Sequence, residues 1–383
     1  MNHTRQDLMR QATGLTQAGR LNEATAAIQR ALSGTHAPDT AAPAWATGQR
    51  RGATSEASSP LVLDDCVFEV GTPAAVASPT EPRPTAPSGA EEFSWGSHTH
   101  GALTRRFKLY TPPGRADQPM ALVVMLHGCT QNPDDFAVGT GMNERARTHG
   151  FCVLYPEQSK DANPSVCWNW FKHKHQQRGS GEPALIASMT QAVMQQHGID
   201  PRRVFIAGLS AGGAMAAIVA AAYPEIYAAV GVHSGLPSGA ASNVAEALMV
   251  MKSGELGIVM PGKGRHLSPA TQGVLRPPSS VPTIVFHGDQ DSTVHPRNGE
   301  QVIAAVQGSS AAQPRVEQGV SARGRRYTRS TRQAEHGRTV SEHWLVHGAG
   351  HAWSGGSATG SYTDGSGPDA SAEMLRFFFE QRP

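Results

Sequence analysis

Cysteine is scarce, with four residues (Cys66, Cys129, Cys152 and Cys167) in a chain of 383. That is too few for a disulfide-built scaffold, and no Cys-x-x-Cys pair marks a structural zinc site, so the redox compartment stays open. Long apolar runs are missing as well. The longest, 120–126 and 214–222, have the length of a strand and of a short helix, well under the roughly 18 residues a membrane span requires. Charge of either sign is barely in excess, Lys+Arg 33 against Asp+Glu 31 for a formal +2, which leaves no electrostatic case for nucleic acid or an anionic membrane as partner. The first residues run into an amphipathic segment without the apolar stretch of a secretory signal, so a cytoplasmic location is the default reading.

What is present falls into three regions. In residues 1–33, Leu8, Ala12 and Leu15, then Leu21, Ala24, Ala27, Ile28 and Leu32, recur at spacings of three and four, which predicts two short helices separated near Gly19. Helices this short are marginal alone, so the stripe in residues 5–33 is expected to dock on the main domain, on a second copy as an oligomer contact, or on another surface. Residues 34–95 are rich in Ala, Pro, Ser and Thr and read as a flexible tether, with an apolar piece at 61–71 able to form a short strand. From 96 to 383, Val/Ile/aromatic runs at 107–110, 121–126, 151–155, 204–207, 228–232, 283–286 and 343–346 alternate with helical stretches at 141–149, 184–197, 211–222 and 297–307. Buried-type strands alternating with helices predict an α/β domain whose mostly parallel central sheet is covered on both faces.

Directly after the strand at 204–207 stands Gly208-Leu209-Ser210-Ala211-Gly212, followed by an alanine-rich helix. Strand, Gly-x-Ser-x-Gly and helix together form a nucleophile elbow, which presents the serine hydroxyl at a helix N-terminus where a developing anion is favoured. A phosphate loop is excluded because Gly-x-Gly-x-x-Gly would need glycine at position 210. A serine needs a base, and the base an orienting acid, following in the order Ser, Asp, His. After the strand at 283–286 comes His287-Gly288-Asp289-Gln290-Asp291, and Asp291, which clears the turn at Gly288, is preferred over Asp289. After the strand at 343–346 comes His347-Gly348-Ala349-Gly350-His351; His351, past two glycines on a loop, is the expected base, while His347 is still held on the strand. Oxyanion donors are expected from the backbone amides of Ala211 and of Cys129, the latter in Leu126-His127-Gly128-Cys129. This mechanism calls for no metal and no organic cofactor; His173-x-His175 lacks a nearby third ligand. Trp168 and Trp170 are read either as loop anchors or as an apolar wall for an acyl chain, and seven arginines between 315 and 338 as a solvated hairpin face or a carboxylate-capturing one.

Six blocks carry a resemblance: Leu126-His127-Gly128-Cys129-Thr130-Gln131, Cys167-Trp168-Asn169-Trp170-Phe171, Gly208-Leu209-Ser210-Ala211-Gly212-Gly213-Ala214-Met215, Gly231-Val232-His233-Ser234-Gly235, His287-Gly288-Asp289-Gln290-Asp291 and Gly350-His351-Ala352-Trp353-Ser354-Gly355-Gly356. Together they resemble the esterase, polyhydroxybutyrate depolymerase family of α/β hydrolases, which is similar also to feruloyl and acetylxylan esterases. The resemblance implies the α/β-hydrolase fold and hydrolysis of esters, polymeric hydroxyalkanoates among them, through Ser210, Asp291 and His351. A storage granule is then a partner for the front segment, and the family's secreted members give an extracellular alternative to the cytoplasmic default. Cys129 and Cys167, each in one of these blocks, would pair as a disulfide in an oxidising compartment and remain neighbouring thiols in a reducing one.

Overall fold

A computed structural model describes residues 91–114, 119–255, 281–307, 313–334 and 337–381. The predicted helices in 5–33, the strand at 61–71 and nearly all of the tether lie outside them. Ten strands form one sheet: β1 (Glu92–His100), β2 (Leu103–Thr111), β3 (Met120–Leu126), β4 (Phe151–Pro156), β5 (Ile199–Leu209), β6 (Ala229–His233), β7 (Thr283–Gly288), β8 (Arg315–Val320), β9 (Arg326–Gln333) and β10 (Thr339–Val346). Their spatial order is β1-β2-β4-β3-β5-β6-β7-β10-β9-β8. The run β4-β3-β5-β6-β7-β10 is parallel, and an antiparallel hairpin closes each edge, β1/β2 on one side and β9/β8 on the other. This is the α/β-hydrolase architecture, with each strand predicted between 96 and 383 inside or overlapping an observed one. The tether boundary is corrected: residues 92–95 already belong to β1, where Phe93 and Trp95 alternate with polar residues as a half-exposed edge strand requires.

Helices cover both faces because the central strands are apolar at successive positions, with no solvent-facing side. Leu122, Val124, Leu126, Ile206, Val230 and Val285 pack with α3 (Gly181–Gln196), α4 (Ala211–Ala222), α5 (Val244–Ser253) and α6 (Arg297–Gln307). The alternate residues Val123, Met125, Phe205, Ala207 and Phe286 pack with α1 (Pro133–Thr140), α2 (Met142–His149) and α7 (Ala370–Glu380). The N-caps of α1, α5 and α7 are Asn132, Asn243 and Asp369, whose side chains accept the amides of Asp135, Glu246 and Ala372. With strand ends set in this order, the loops after β3, β5, β7 and β10 all emerge at the carboxyl edge of the parallel sheet, where open α/β sheets place their sites.

Candidate active site

Ser210 sits between β5 and α4 with φ 57° and ψ −118°, a left-handed conformation a non-glycine residue holds only at a cost of about 1–3 kcal/mol. Its amide donates to the carbonyl of His233 at 2.8 Å, which fixes the turn from the end of the neighbouring strand. The flanking glycines are needed for close approach: a Cβ on Gly208 would lie 2.4 Å from the carbonyl of Gly212, and one on Gly212 would lie 2.0 Å from the carbonyl oxygen of Leu126. The end of β3 therefore abuts the start of α4. As the first residue of α4, Ala211 has no intrahelical acceptor for its N–H. In the Cys129 loop the amide of Gly128 donates to Gln131 Oε1 (2.9 Å) and that of Thr130 to Ser165 O (2.8 Å), so the two amides flanking Cys129 are already engaged.

Asp291 is buried, 5% exposed, and its Oδ2 accepts from His351 Nδ1 at 2.7 Å. Its Oδ1 takes the amides of Thr293 (2.9 Å) and Val294 (2.8 Å), and His287 Nε2 stands 3.4 Å from Oδ2. Burial pushes this carboxyl up, but the hydrogen bonds from His287, His351 and Val294 outweigh it and hold the group well below the ordinary carboxylate range. The acid is thus a fixed anion. With Nδ1 of His351 committed to Asp291, Nε2 is the nitrogen left to accept a proton. Asp289 faces elsewhere: its Oδ2 bonds His347 Nδ1 at 2.9 Å and its Oδ1 the amide of Gly348 at 2.7 Å.

Two further imidazoles near the site are structural. His127 donates from Nδ1 to Gly128 O (2.7 Å) and accepts the Gln158 amide at Nε2 (3.1 Å); burial lowers its pKa to about 4. His233, stacked between Phe286 and Trp353, accepts the amide of Ser354 at Nε2 (2.9 Å), and burial followed by repulsion from His287 and His351 lowers it to about 3. Both rings are neutral struts under the loops.

The Trp168 and Trp170 wall is a correction. Both side chains are buried, Trp168 completely, and pack in the core with α3 and α4 instead of facing an open cleft. What holds their loop is Glu182, buried on α3, which accepts the Asn169 amide and side chain (2.7 Å each) and Gln158 Nε2 (2.6 Å). His175 Nδ1 lies 3.3 Å from this carboxylate, and the buried Arg105 guanidinium, 3.8 Å away, is its cation partner. Sequence reading missed both Glu182 and His287: a lone acid inside a helix and a histidine at a strand end carry no signal until their neighbours are known. A disulfide joins Cys129 to Cys167, tying the loop after β3 to the tryptophan loop.

The model of the family described as esterase PHB depolymerase matches residues 105–334, more than half of the chain. The chain belongs to that family. Poly(3-hydroxyalkanoate) depolymerase C of Paucimonas lemoignei is 34% identical over 182 residues, covering 48% of this chain and 43% of that protein. Probable acetylxylan esterase A of Neosartorya fischeri is 29% identical over 227 residues, 56% of this chain and 58% of that one. The chain thus spans about half the length of these curated relatives. An acetyl xylan esterase from Aspergillus awamori superposes with a TM-score of 0.58 over 75% of this chain and 99% of that one at 20% identity, a likeness of fold. Among the described residues, no helix of this esterase family member is long and apolar enough to cross a membrane.

Proposed function

We propose that the chain is a serine ester hydrolase acting through Ser210, His351 and Asp291 on hydroxyalkanoate esters, polymer or oligomer. The observation that carries the reading is the strained serine of the elbow on the same sheet edge as an imidazole whose Nδ1 is tied to a buried carboxylate at 2.7 Å. His351 Nε2 takes the hydroxyl proton as Ser210 Oγ bonds to the ester carbon, and the carbonyl oxygen becomes an oxyanion facing the amides of Ala211 and Cys129. Collapse of the tetrahedral intermediate breaks the bond to the alcohol oxygen, which leaves with the proton from His351. Water, deprotonated by the same nitrogen, then releases the acid and restores Ser210. Ser210→Ala is expected to lower turnover of p-nitrophenyl butyrate by about 10³-fold or more with an unchanged circular dichroism spectrum. A folded variant that keeps wild-type turnover would remove Ser210 from the mechanism.

The acetylxylan esterase matches favour a second reading, in which the ester is on a carbohydrate. Rates of the full chain on hydroxybutyrate oligomers and on acetylated or feruloylated sugars separate the two. The Cys129–Cys167 bond supports an oxidising, extracellular compartment over the cytoplasmic one. In a reducing cytoplasm, where Cys129 and Cys167 would be thiols, the stripe in residues 5–33 would instead meet a storage granule.

A further inference from the structure

The seven arginines between 315 and 338 do not form one uniform face. Arg315 and Arg329 both pair with Glu317 on the β8/β9 hairpin, Arg323 donates to Gly365 O, and Arg325 is held between Gly348 O (2.9 Å) and Asp364 (3.0 Å). Arg326 is different. It is exposed at the first position of β9, and its guanidinium has no hydrogen bond or ion pair among the described residues. It lines a cavity of about 350 Å³ together with Arg325, Asp289, His347 and the backbone of Gly324 and Gly348.

The sign of charge this cavity accepts follows from its bonds. The single carboxylate in the wall, Asp289, has both oxygens engaged, one by His347 and one by the Gly348 amide. His347 is itself spent, with Thr328 Oγ1 2.9 Å from its Nε2. Arg325 is matched by Asp364, and Asp289, though hydrogen-bonded, keeps its charge; the cation of this wall with its donors still free is Arg326, with the exposed Gln290 side chain as a further polar group. A planar guanidinium with free donors matches a carboxylate.

The cavity also shares its wall with the catalytic loops. Asp289 stands two residues before Asp291, and Gly348 three before His351, so the Cα atoms of Asp289 and Asp291 are at most about 7 Å apart. We propose that Arg326 forms a carboxylate subsite that holds the free acid end of a hydroxyacid chain while an ester bond further along it lies at Ser210. The proposal rests on the hydrolase reading above and deepens it: every cleavage of such a chain creates a new acid end, so the subsite makes the enzyme select chain ends over chain interiors.

The test uses the full chain carrying Ser210→Ala, which cannot turn over its ligand, and titrates it calorimetrically with the 3-hydroxybutyrate trimer as free acid and as methyl ester. The acid is expected to bind about tenfold more tightly than the ester, the scale of one charge-assisted contact. Adding Arg326→Gln should reduce that preference below about twofold, while adding Arg338→Gln, an arginine outside the cavity, should leave it. Equal affinities in the Ser210→Ala parent, no binding of the acid, a preference that survives Arg326→Gln, or one that falls equally with Arg338→Gln would each overturn the subsite. Failure of the hydrolase reading is recognised separately, as trimer methyl ester left uncleaved by the wild-type chain.

Discussion

Lowering the pH should destabilise this enzyme before its carboxylates titrate, and the two buried histidines set the size of the effect. His127 and His233 have ordinary values of 6.5 that burial lowers to about 4 and about 3. The unfolded chain therefore binds protons at these positions that the folded chain refuses. Their penalty is absent above pH 6.5 and grows as pH falls, until the folded-state values are reached. At pH 5 each ring costs about 2 kcal/mol by linkage, so the pair removes about 4 kcal/mol between pH 8 and pH 5. His343, also lowered to about 4 by burial but only half-buried on β10, adds a smaller share in the same direction. Asp291 and Glu182, whose carboxyls are depressed, withdraw stability only as pH falls through the ordinary carboxylate range near 4, below this window. With an unfolding entropy of about 2.1 cal/mol/K per residue over about 290 residues, 4 kcal/mol corresponds to a fall in Tm of about 6–7 °C. Differential scanning fluorimetry in buffers from pH 8 to pH 5 reads this directly. A Tm constant to within about 2 °C across that range would mean that these rings can charge in the fold and that their burial has been misjudged.

Three other outcomes follow from single contacts. Asp291→Asn should lower kcat on p-nitrophenyl butyrate by about 10⁴-fold, because the imidazole loses the acceptor that fixes its tautomer, whereas Asp289→Asn should cost less than about tenfold; steady-state kinetics on both variants would reverse the assignment of the acid if the order came out the other way. Reduction of Cys129–Cys167, or the double serine variant, opens a loop of 38 residues worth about 4 kcal/mol in chain entropy, so Tm should drop by about 6 °C, and a change under about 2 °C in both samples would contradict that value. Gly212→Ala sets a methyl group 2.0 Å from Leu126 O, backbone against backbone, and should cost about 3 kcal/mol or more in urea unfolding, with near-normal stability disproving the close packing of α4 on β3.

The sheet was legible because its central strands are buried on both faces and so read as continuous apolar runs, each ended by glycine or a polar turn. The elbow was legible for a related reason, since strand, glycine and helix signals surround Ser210 within a dozen residues. Edge strands are harder. β1 alternates Phe93 and Trp95 with serine, glycine and histidine, a pattern that polar tethers also produce, and its pairing with β2 is what makes it a strand. Trp168 and Trp170 could not be assigned to core or cleft from their own letters, because the loop that carries them is held at Asn169 by a carboxylate on α3, which sets both rings into the apolar core. The separation of 38 residues between Cys129 and Cys167 says nothing of distance until β3 and β4 lie side by side.

The sequence order Ser, Asp, His left two acids and two histidines in competition, and the pairing of Asp289 with His347 explains why both pairs are present. Each Asp-His couple links the loop after β7 to the loop after β10, one at its base and one at its tip. The base couple, together with the Gly348 amide on Asp289, sets the separation of the two loops before the chain reaches Asp291 and His351. The tip couple can then keep a 2.7 Å contact without drawing on substrate binding to assemble it. A hydroxyl activated by a preassembled pair loses less rotational freedom at the transition state than one that must recruit its base. On this view Asp289 and His347 are positioning residues.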